Sequence, residues 1–230
     1  MPELGMFTED WILEQAKRDY EAGEADVPLR VGSCALLVVD MLDEFVKPEW
    51  SPYWVPDATR QAAKIRALQD ACRGLGVPVV NIGYETMLQG LDGPGPMHNV
   101  PIGGAILPFL GKLFLRPAFY EEVAPQPGDL VILKHAYSSF HGTPLETVLH
   151  NMSVDTVIIA GTMTNYCCGA TAREAFWHGF HVVFGSDVTS SDDEECHRVE
   201  LKTLRRGFAR ILASSEIVAE LEASQTTGSA

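Results

Sequence analysis

Residues 155–187 read DTVIIAGTMTNYCCGATAREAFWHGFHVVFGSD, in which a helical stretch separates two apolar runs. The runs DTVIIAG (155–161) and HVVFGSD (181–187) are short and almost continuously apolar, which is typical of strands buried on both faces. Between them, NYCCGATAREAFWHG (165–179) repeats small and apolar residues at spacings of three and four, which predicts a helix. A strand, a helix and a strand in this order indicate a parallel sheet.

The same alternation continues along the rest of the chain. Four more short apolar runs are SCALLVVD (33–40), VPVVNIG (77–83), DLVILK (129–134) and FARILAS (208–214). Helical spacing is present at 58–76, 143–152, 192–207 and 215–223. We therefore predict an α/β fold, a doubly wound three-layer sandwich whose six-stranded parallel sheet has helices on both faces.

Three segments depart from this rhythm. Residues 1–32 are predicted to be a helical appendage, with the helix between Thr8 and Gly23. A Pro- and Gly-rich excursion at 84–127 interrupts the domain at 33–223, and such long loops tend to be functional. The polar tail at 224–230 is predicted to be disordered.

Charge and composition exclude several functions. The formal net charge of −14 and the lack of a basic cluster disfavour nucleic-acid binding. No apolar run reaches the roughly 20 residues that a membrane span needs, and the amino terminus does not resemble a signal peptide, so we expect a cytoplasmic protein. Five cysteines without a C-x-x-C pair indicate neither a disulfide framework nor a zinc ribbon. No glycine follows the first strand, so a dinucleotide cofactor is disfavoured.

Reactive side chains should lie at the carboxyl ends of the strands, where doubly wound sheets bind ligands. Asp40 ends the first predicted strand, Lys134 ends DLVILK, and the pair Cys167–Cys168 follows VIIAG. Each has an ordinary alternative: Asp40 as a turn residue, Lys134 as a surface lysine, and each cysteine as a small buried side chain.

Helical geometry favours Cys167 over Cys168 as the reactive thiol. Cys168 extends the small and apolar stripe that continues through Ala172 and Ala175, so it should pack against the sheet. Cys167 extends a polar stripe through Thr171 and should face away from that packing, in the first turn of a helix. Free amides and the helix dipole there would favour a thiolate.

A cysteine, a lysine and an aspartate that meet at one site can cleave an amide. Lys134 would stabilise the thiolate of Cys167, and Asp40 would accept the thiol proton and deliver it to the leaving amine. The aromatic stretch EWSPYW (49–54) fits either a wall over a small ligand or a contact between subunits.

Three segments resemble the isochorismatase-like cysteine hydrolase superfamily, in its amidohydrolase branch. They are ALLVVDMLDEF (35–45), VILKHAYSSFHGTPLETVLH (131–150) and VIIAGTMTNYCCGATAREAFWHGFHVVFGSDVTSS (157–191). The superfamily includes nicotinamidase, and the chain looks most like its ureidoacrylate, biuret, triuret and N-carbamoylsarcosine amidohydrolases. The resemblance implies a small amide or ureido substrate and a homo-oligomer, a dimer or a tetramer.

The resemblance also implies roles for individual residues. Asp40, Lys134 and Cys167 would form a catalytic triad, and the peptide Thr162–Met163 would be cis. The backbone N–H groups of Met163 and Cys167 would form the oxyanion hole. Candidate substrate contacts are the aromatic residues Phe45, Trp54, Tyr84, Tyr137 and Tyr166.

Two departures from the family pattern restrict the substrate. The usual D-x-Q-N-D-F motif has Leu42, Asp43 and Glu44 in its middle here. Nicotinamidases carry a metal site that begins D-x-H after the second strand, but this chain has GYETML (83–88). We therefore expect no metal and no cofactor, and nicotinamide is disfavoured in comparison with ureido compounds. The alternatives are an isochorismatase-type vinyl-ether hydrolase, which needs the aspartate but not the thiol, and a non-enzymatic redox or scaffold protein.

Overall fold

A computed structural model describes residues 5, 7–22, 25–85 and 117–227 of the chain. Its centre is a six-stranded sheet in which all neighbouring strands run parallel. The strands are β1 (Cys34–Val39), β2 (Val79–Tyr84), β3 (Leu130–Lys134), β4 (Thr156–Thr162), β5 (His181–Ser190) and β6 (Arg210–Leu212). The predicted fold class and strand number are confirmed.

The order of the strands indicates where a ligand would bind. Across the sheet the order is β3-β2-β1-β4-β5-β6, so successive strands are added first to one side of β1 and then, from β4 onward, to the other side. In doubly wound sheets, ligands bind beyond the carboxyl ends of the strands at such a reversal. The loops that follow β1 and β4 therefore border the expected site.

Helices cover both faces of the sheet. The helices are α1 (Glu9–Ala22), α2 (Asp43–Val46), α3 (Pro56–Leu75), α4 (Leu145–Asn151), α5 (Gly169–Trp177), α6 (Glu194–Gly207) and α7 (Ser214–Thr227). The short helix α2 was not predicted, because four residues are too few to show a helical period.

The alternating side chains of β1 are buried on both faces, which explains its continuously apolar sequence. Leu36 and Val38 belong to the core that α3 and α7 cover. Leu37 and Val39 belong to the core on the other face, which α4 and α5 cover. The layers are thus helix, sheet and helix, as predicted.

The ends of the domain differ from the predicted boundaries. Helix α1 contains no buried residue, but Val27 and Leu29 lie in the core with α7, so packing of the domain begins before residue 33. Helix α7 continues to Thr227, so residues 224–227 are helical and the prediction of disorder there was wrong. The helix continues because none of these residues is a glycine or proline that would stop it.

Parts of the predicted segments lie outside the described residues: 1–4, 6, 23 and 24 of the appendage, 86–116 of the excursion, and 228–230 of the tail. Among the helices that the structure describes, none is long and apolar enough to cross a membrane.

Candidate active site

Asp40, Lys134 and Cys167 meet at the carboxyl edge of the sheet. Asp40 directly follows β1 and Cys167 lies in the turn after β4, so the two come from the adjacent strands at the reversal. Lys134 is the last residue of β3, two strands from β1, and its long side chain crosses the end of β2. Its Nζ lies 2.7 Å from Oδ2 of Asp40 and 3.4 Å from Sγ of Cys167.

The ammonium group of Lys134 forms an ion pair with Asp40 and donates two hydrogen bonds. Its acceptors are Sγ of Cys167 at 3.4 Å and the carbonyl oxygen of Ala136 at 2.9 Å. All three members of the cluster are buried, and the Cys167 side chain is the most exposed at 6%. A buried lysine is stable only when its charge is paired and its donors are used, and both conditions are met here.

Asp40 has a backbone conformation that few residues adopt. Its φ is +51°, in the left-handed region, where aspartate is tolerated better than most side chains. Its N–H donates to the carbonyl oxygen of Ile82 at 2.8 Å, which ties the turn to β2. The chain therefore leaves the sheet sharply at Asp40, and the carboxylate stays under the strand ends beside Lys134.

Burial controls the protonation of the cluster. Burial raises the pKa of Asp40, although Lys134 opposes that shift. Burial alone would lower the pKa of Lys134, but Asp40 and Cys167 more than compensate and raise it. Burial and the neighbouring Asp40 raise the pKa of the Cys167 thiol to about 12, against the opposing effect of Lys134.

The resting thiol of Cys167 is therefore protonated at neutral pH. Lys134 lowers the pKa of the thiol, as predicted, but desolvation is the largest contribution, so a resting thiolate is not favoured overall. Asp40 raises the pKa of this thiol, and its carboxylate is the group in the cluster that can accept the thiol proton.

The turn that holds Cys167 is a π-helical turn at Thr164–Cys168, and helix α5 begins only at Gly169. π-helical turns are rare and are frequent at functional sites. Cys167 lies in the first turn of a helix, as predicted, although that turn is π-helical. The prediction of a polar face was wrong: Cys167 and Thr171 are both buried, and the Thr171 hydroxyl donates to the Cys167 carbonyl oxygen.

The peptide bond between Thr162 and Met163 is cis, as the family resemblance implies. The carbonyl oxygen of Met163 accepts from the backbone N–H groups of Tyr166 and Cys168, both at 3.1 Å. The use of the Met163 and Cys167 amides as an oxyanion hole stays a prediction.

Two side chains from the segment after β5 form hydrogen bonds with the turn, and neither was predicted from the sequence. Nδ1 of His197 in α6 lies 2.8 Å from Oγ1 of Thr164, the first residue of the turn. Burial lowers the pKa of His197, so its ring is neutral at pH 7. The Ser191 hydroxyl donates to Oδ1 of Asn165 at 2.7 Å. Because these partners are about 30 residues apart in the chain, no local pattern indicated them.

Tyrosine side chains surround the buried cluster. Nζ of Lys134 lies 5.1 Å from the centre of the Tyr84 ring. The rings of Tyr137 and Tyr166 are 5.6 Å apart and are exposed by 45% and 46%. The pKa of Tyr137 is raised by burial and by Cys167, Tyr166, Tyr84 and Tyr53. Tyr84 and Tyr137 therefore lie near the cluster, and the role of these tyrosines as substrate contacts stays a prediction.

The other two predicted substrate contacts lie beside α2 and α3. The ring of Phe45 meets that of Tyr53 edge-on, with 6.4 Å between centres. The indole N–H of Trp54 donates to Oγ1 of Thr59 at 2.9 Å, which directs it toward α3. Within the described part of the chain, no hydrogen bond or ring contact joins Trp54 to the triad. Its role as a substrate contact stays a prediction.

The described residues contain no group of three or more His, Cys, Asp or Glu side chains that could hold a metal ion. Residues 86–88, the end of the GYETML stretch, lie outside the described part, so the expectation of a metal-free enzyme stays a prediction.

Comparisons with known proteins agree with this geometry. The chain is 44% identical over 209 residues to Nicotinamidase 3 of Arabidopsis thaliana, with 87% of this chain and 94% of that protein covered. It is 30% identical over 190 residues to the maleamate amidohydrolase of Pseudomonas putida, with 81% of this chain and 86% of that protein covered.

A crystal structure of a cysteine hydrolase from Pseudomonas syringae pv. phaseolicola superposes with a TM-score of 0.79 at 26% identity, and covers 89% of this chain and 99% of that one. The sequence model of the isochorismatase domain matches residues 34–216, which include Asp40, Lys134 and Cys167. This chain belongs to the isochorismatase family.

Proposed function

We propose that this protein hydrolyses the C–N bond of a small carboxamide or ureido compound, with Cys167 as nucleophile, Asp40 as proton carrier and Lys134 as the fixed cation. The single observation that carries the proposal is the contact of one buried ammonium with both a carboxylate and a thiol, at 2.7 Å and 3.4 Å. A redox or scaffold thiol has no need for a buried carboxylate that can take its proton.

The first half of the reaction forms a thioester. Asp40 takes the proton from the Cys167 thiol while the sulfur attacks the amide carbonyl carbon, and Lys134 stabilises the developing thiolate. The carbonyl oxygen becomes an oxyanion, which the amides of Met163 and Cys167 would stabilise. When the tetrahedral intermediate collapses, the C–N bond breaks and Asp40 returns the proton to the leaving nitrogen, which departs as ammonia or an amine.

The second half regenerates the thiol. Asp40 takes a proton from water, and the hydroxide attacks the thioester carbon. The C–S bond breaks, the sulfur regains the proton from Asp40, and the product leaves as a carboxylic acid or a carbamic acid. The high pKa of the thiol fits this cycle, because the proton stays within the triad and is shuttled between the sulfur, Asp40 and the leaving group.

Two features of the sequence disagree on whether nicotinamide is the substrate. The missing D-x-H pair disfavours nicotinamide, whereas the 44% identity to a protein named nicotinamidase favours it. The maleamate amidohydrolase relative adds short linear amides to the candidates. A planar carboxamide could stack on the half-exposed rings of Tyr137 and Tyr166, because aromatic faces favour such stacking.

The test is an ammonia-release screen over nicotinamide, maleamate, simple primary amides, ureas and N-carbamoyl amino acids. We expect release from at least one of these, and no release by Cys167→Ser. The same screen should be repeated after iodoacetamide treatment, with alkylation of Cys167 followed by mass spectrometry. A blank screen, or activity that survives complete alkylation, would contradict the proposal. Activity toward a vinyl ether after alkylation would support the alternative reaction, which needs Asp40 but not the thiol.

A further inference from the structure

We propose that Thr171 and Ser139 are positioning residues that hold the Cys167 sulfur and the Lys134 ammonium at their working separation. The proposal rests on the proposed function for the importance of that separation. Both side chains are completely buried, and their hydrogen bonds go to each other and to the Cys167 backbone. Their effect would therefore reach the reaction through Cys167 and Lys134.

The hydrogen bonds around Thr171 can be assigned completely. Its hydroxyl donates to the Cys167 carbonyl oxygen at 2.7 Å. Oγ1 of Thr171 in turn accepts from the backbone N–H of Ser139 at 3.0 Å. The hydroxyls of Ser139 and Thr171 are 2.9 Å apart, and because the single Thr171 proton is already used, Ser139 must donate. Thr171 thus uses its one donor and both of its acceptor positions.

This network joins the two segments that carry the triad's lysine and cysteine. Ser139 lies five residues after Lys134, in the same loop as Ala136, whose carbonyl accepts from the Lys134 ammonium. Cys167 and Thr171 lie in the turn after β4 and in α5. In sequence, Ser139 and Thr171 are 32 residues apart. The pair therefore links the lysine loop directly to the nucleophile turn.

The distance between Lys134 and Cys167 needs a constraint that the sheet does not supply. The Nζ–Sγ distance of 3.4 Å joins groups from non-adjacent strands, so sheet pairing alone does not set it. If the Cys167 carbonyl lost the Thr171 hydroxyl, the turn could move relative to Lys134. A displacement of about 1 Å at a reacting group can cost about 100-fold in rate.

The experiment compares Thr171→Val, which removes the hydroxyl at nearly constant shape, with Thr171→Ser, which keeps it. We expect Thr171→Val to lower kcat by about 10- to 100-fold with KM within about twofold, and Thr171→Ser to stay within about threefold of the wild type. Ser139→Ala, which leaves the bond from Thr171 to Cys167 in place, should lower kcat less. Thr189→Val is the matched control, because its buried hydroxyl also donates to a carbonyl four residues earlier, that of Gly185, at 2.7 Å.

A readout that needs no turnover separates this proposal from the proposed function. Mass spectrometry gives the iodoacetamide alkylation rate of Cys167 relative to that of the exposed Cys196 in the same molecule. We expect Thr171→Val to lower this ratio about tenfold and Thr171→Ser to preserve it, since thiolate stabilisation depends on the distance to Lys134. Should the wild type release no ammonia, the proposed function fails and the ratio still tests the link. An unchanged or raised ratio in folded Thr171→Val, or a loss of stability with kcat unchanged, would overturn the proposal.

Discussion

Oδ2 of Asp40 and Nζ of Lys134 are 2.7 Å apart, and neither side chain has any solvent exposure. Burying two charges is costly, and their attraction repays the cost only when the geometry is good and the other donors are satisfied. Lys134 meets that condition through Ala136 and Cys167. A protein that needed only stability would do as well with apolar side chains at these positions, so the pair points to function.

Replacing Asp40 by asparagine should remove activity and stability together. Asp40→Asn keeps the shape but leaves the Lys134 ammonium buried without its carboxylate, and breaking a buried pair in this way costs about 3–5 kcal/mol. The loss of the proton carrier should lower kcat by about 10²- to 10⁴-fold. Urea unfolding and ammonia release measure the two effects. The control is Asp70→Asn. Because Asp70 is half exposed, this variant should change neither the free energy of unfolding nor the rate of ammonia release by much. Full activity in Asp40→Asn would eliminate the proposed proton transfer.

The activity should have an acid limb and no alkaline limb in the ordinary range. Asp40 must be deprotonated to act as the base, so kcat/KM should rise as the pH rises through its pKa, which burial raises above the ordinary aspartate value. Lys134 must stay charged, and its pKa is raised, so we expect a plateau up to at least about pH 9. A pH–rate profile of the wild type measures this. A loss of activity as the pH rises through about 7 would show that a group other than Lys134, such as a histidine, must stay protonated.

The adjacent cysteines should respond differently to substitution. Cys167→Ala should abolish turnover with the fold retained, because its sulfur is the one in contact with Lys134. Cys168→Ala should keep the activity and cost about 1–2 kcal/mol of stability, since it only removes a buried sulfur from the core. Steady-state kinetics and thermal unfolding of both variants are the measurements. Equal losses of activity would show that the two thiols do not have separate roles.

Much of the site could be predicted because it follows from the topology. In a parallel sheet the carboxyl ends of the strands share one edge, so Asp40 and Lys134 had to come near the turn that carries Cys167. The stripe through Ala172 and Ala175 also placed Cys168 in the core, where the structure has it. These predictions needed only strand ends and helical spacing.

Other features could not be predicted, and the reasons are physical. Helical spacing predicted a helix from residue 165, but it could not show that the first turn is π-helical and that α5 begins at Gly169. The polar Thr171 was predicted to lie on the polar face of the helix, but its hydroxyl donates to the carbonyl oxygen of Cys167, four residues earlier. The contact between Thr164 and His197 joins residues 33 positions apart, and either one alone resembles a surface residue.

The tyrosine pair at the site should affect substrate binding more than chemistry. Tyr137→Ala should raise KM for a planar amide about tenfold with a smaller effect on kcat, because it removes one of two neighbouring half-exposed rings, which are tilted by 55° to each other. Tyr137→Phe keeps the ring and should stay close to the wild type. Tyr20→Ala is the control, since Tyr20 is also a partly exposed tyrosine but lies in α1 against Arg206. A large change in kcat with KM unchanged would show that the Tyr137 ring acts on the chemical step and not on binding.

Asp129, at the entrance to β3, should make the fold sensitive to acid. Burial alone would raise the pKa of Asp129, but hydrogen bonds from Arg73, the Gln126 backbone and Asn81 hold it below its usual value. The Arg73 guanidinium binds both carboxylate oxygens, at 2.7 Å and 3.0 Å. A carboxyl whose pKa is lower in the folded state stabilises the protein above its unfolded pKa of about 3.9, and that contribution is lost as the pH falls through the folded pKa.

We therefore expect Asp129→Asn to reduce the free energy of unfolding by about 1.5–3 kcal/mol at pH 7, the range for hydrogen bonds to charged groups. The difference from the wild type should shrink as the pH falls below about 4, because the wild-type carboxyl is then becoming protonated as well. Urea unfolding at both pH values measures it. Asp57→Asn, which removes an exposed ion pair with Arg60, should change the stability by less than about 1 kcal/mol at either pH. A difference for Asp129→Asn that is the same at pH 7 and pH 3 would show that the shape of the network, and not the charge of Asp129, stabilises the start of β3.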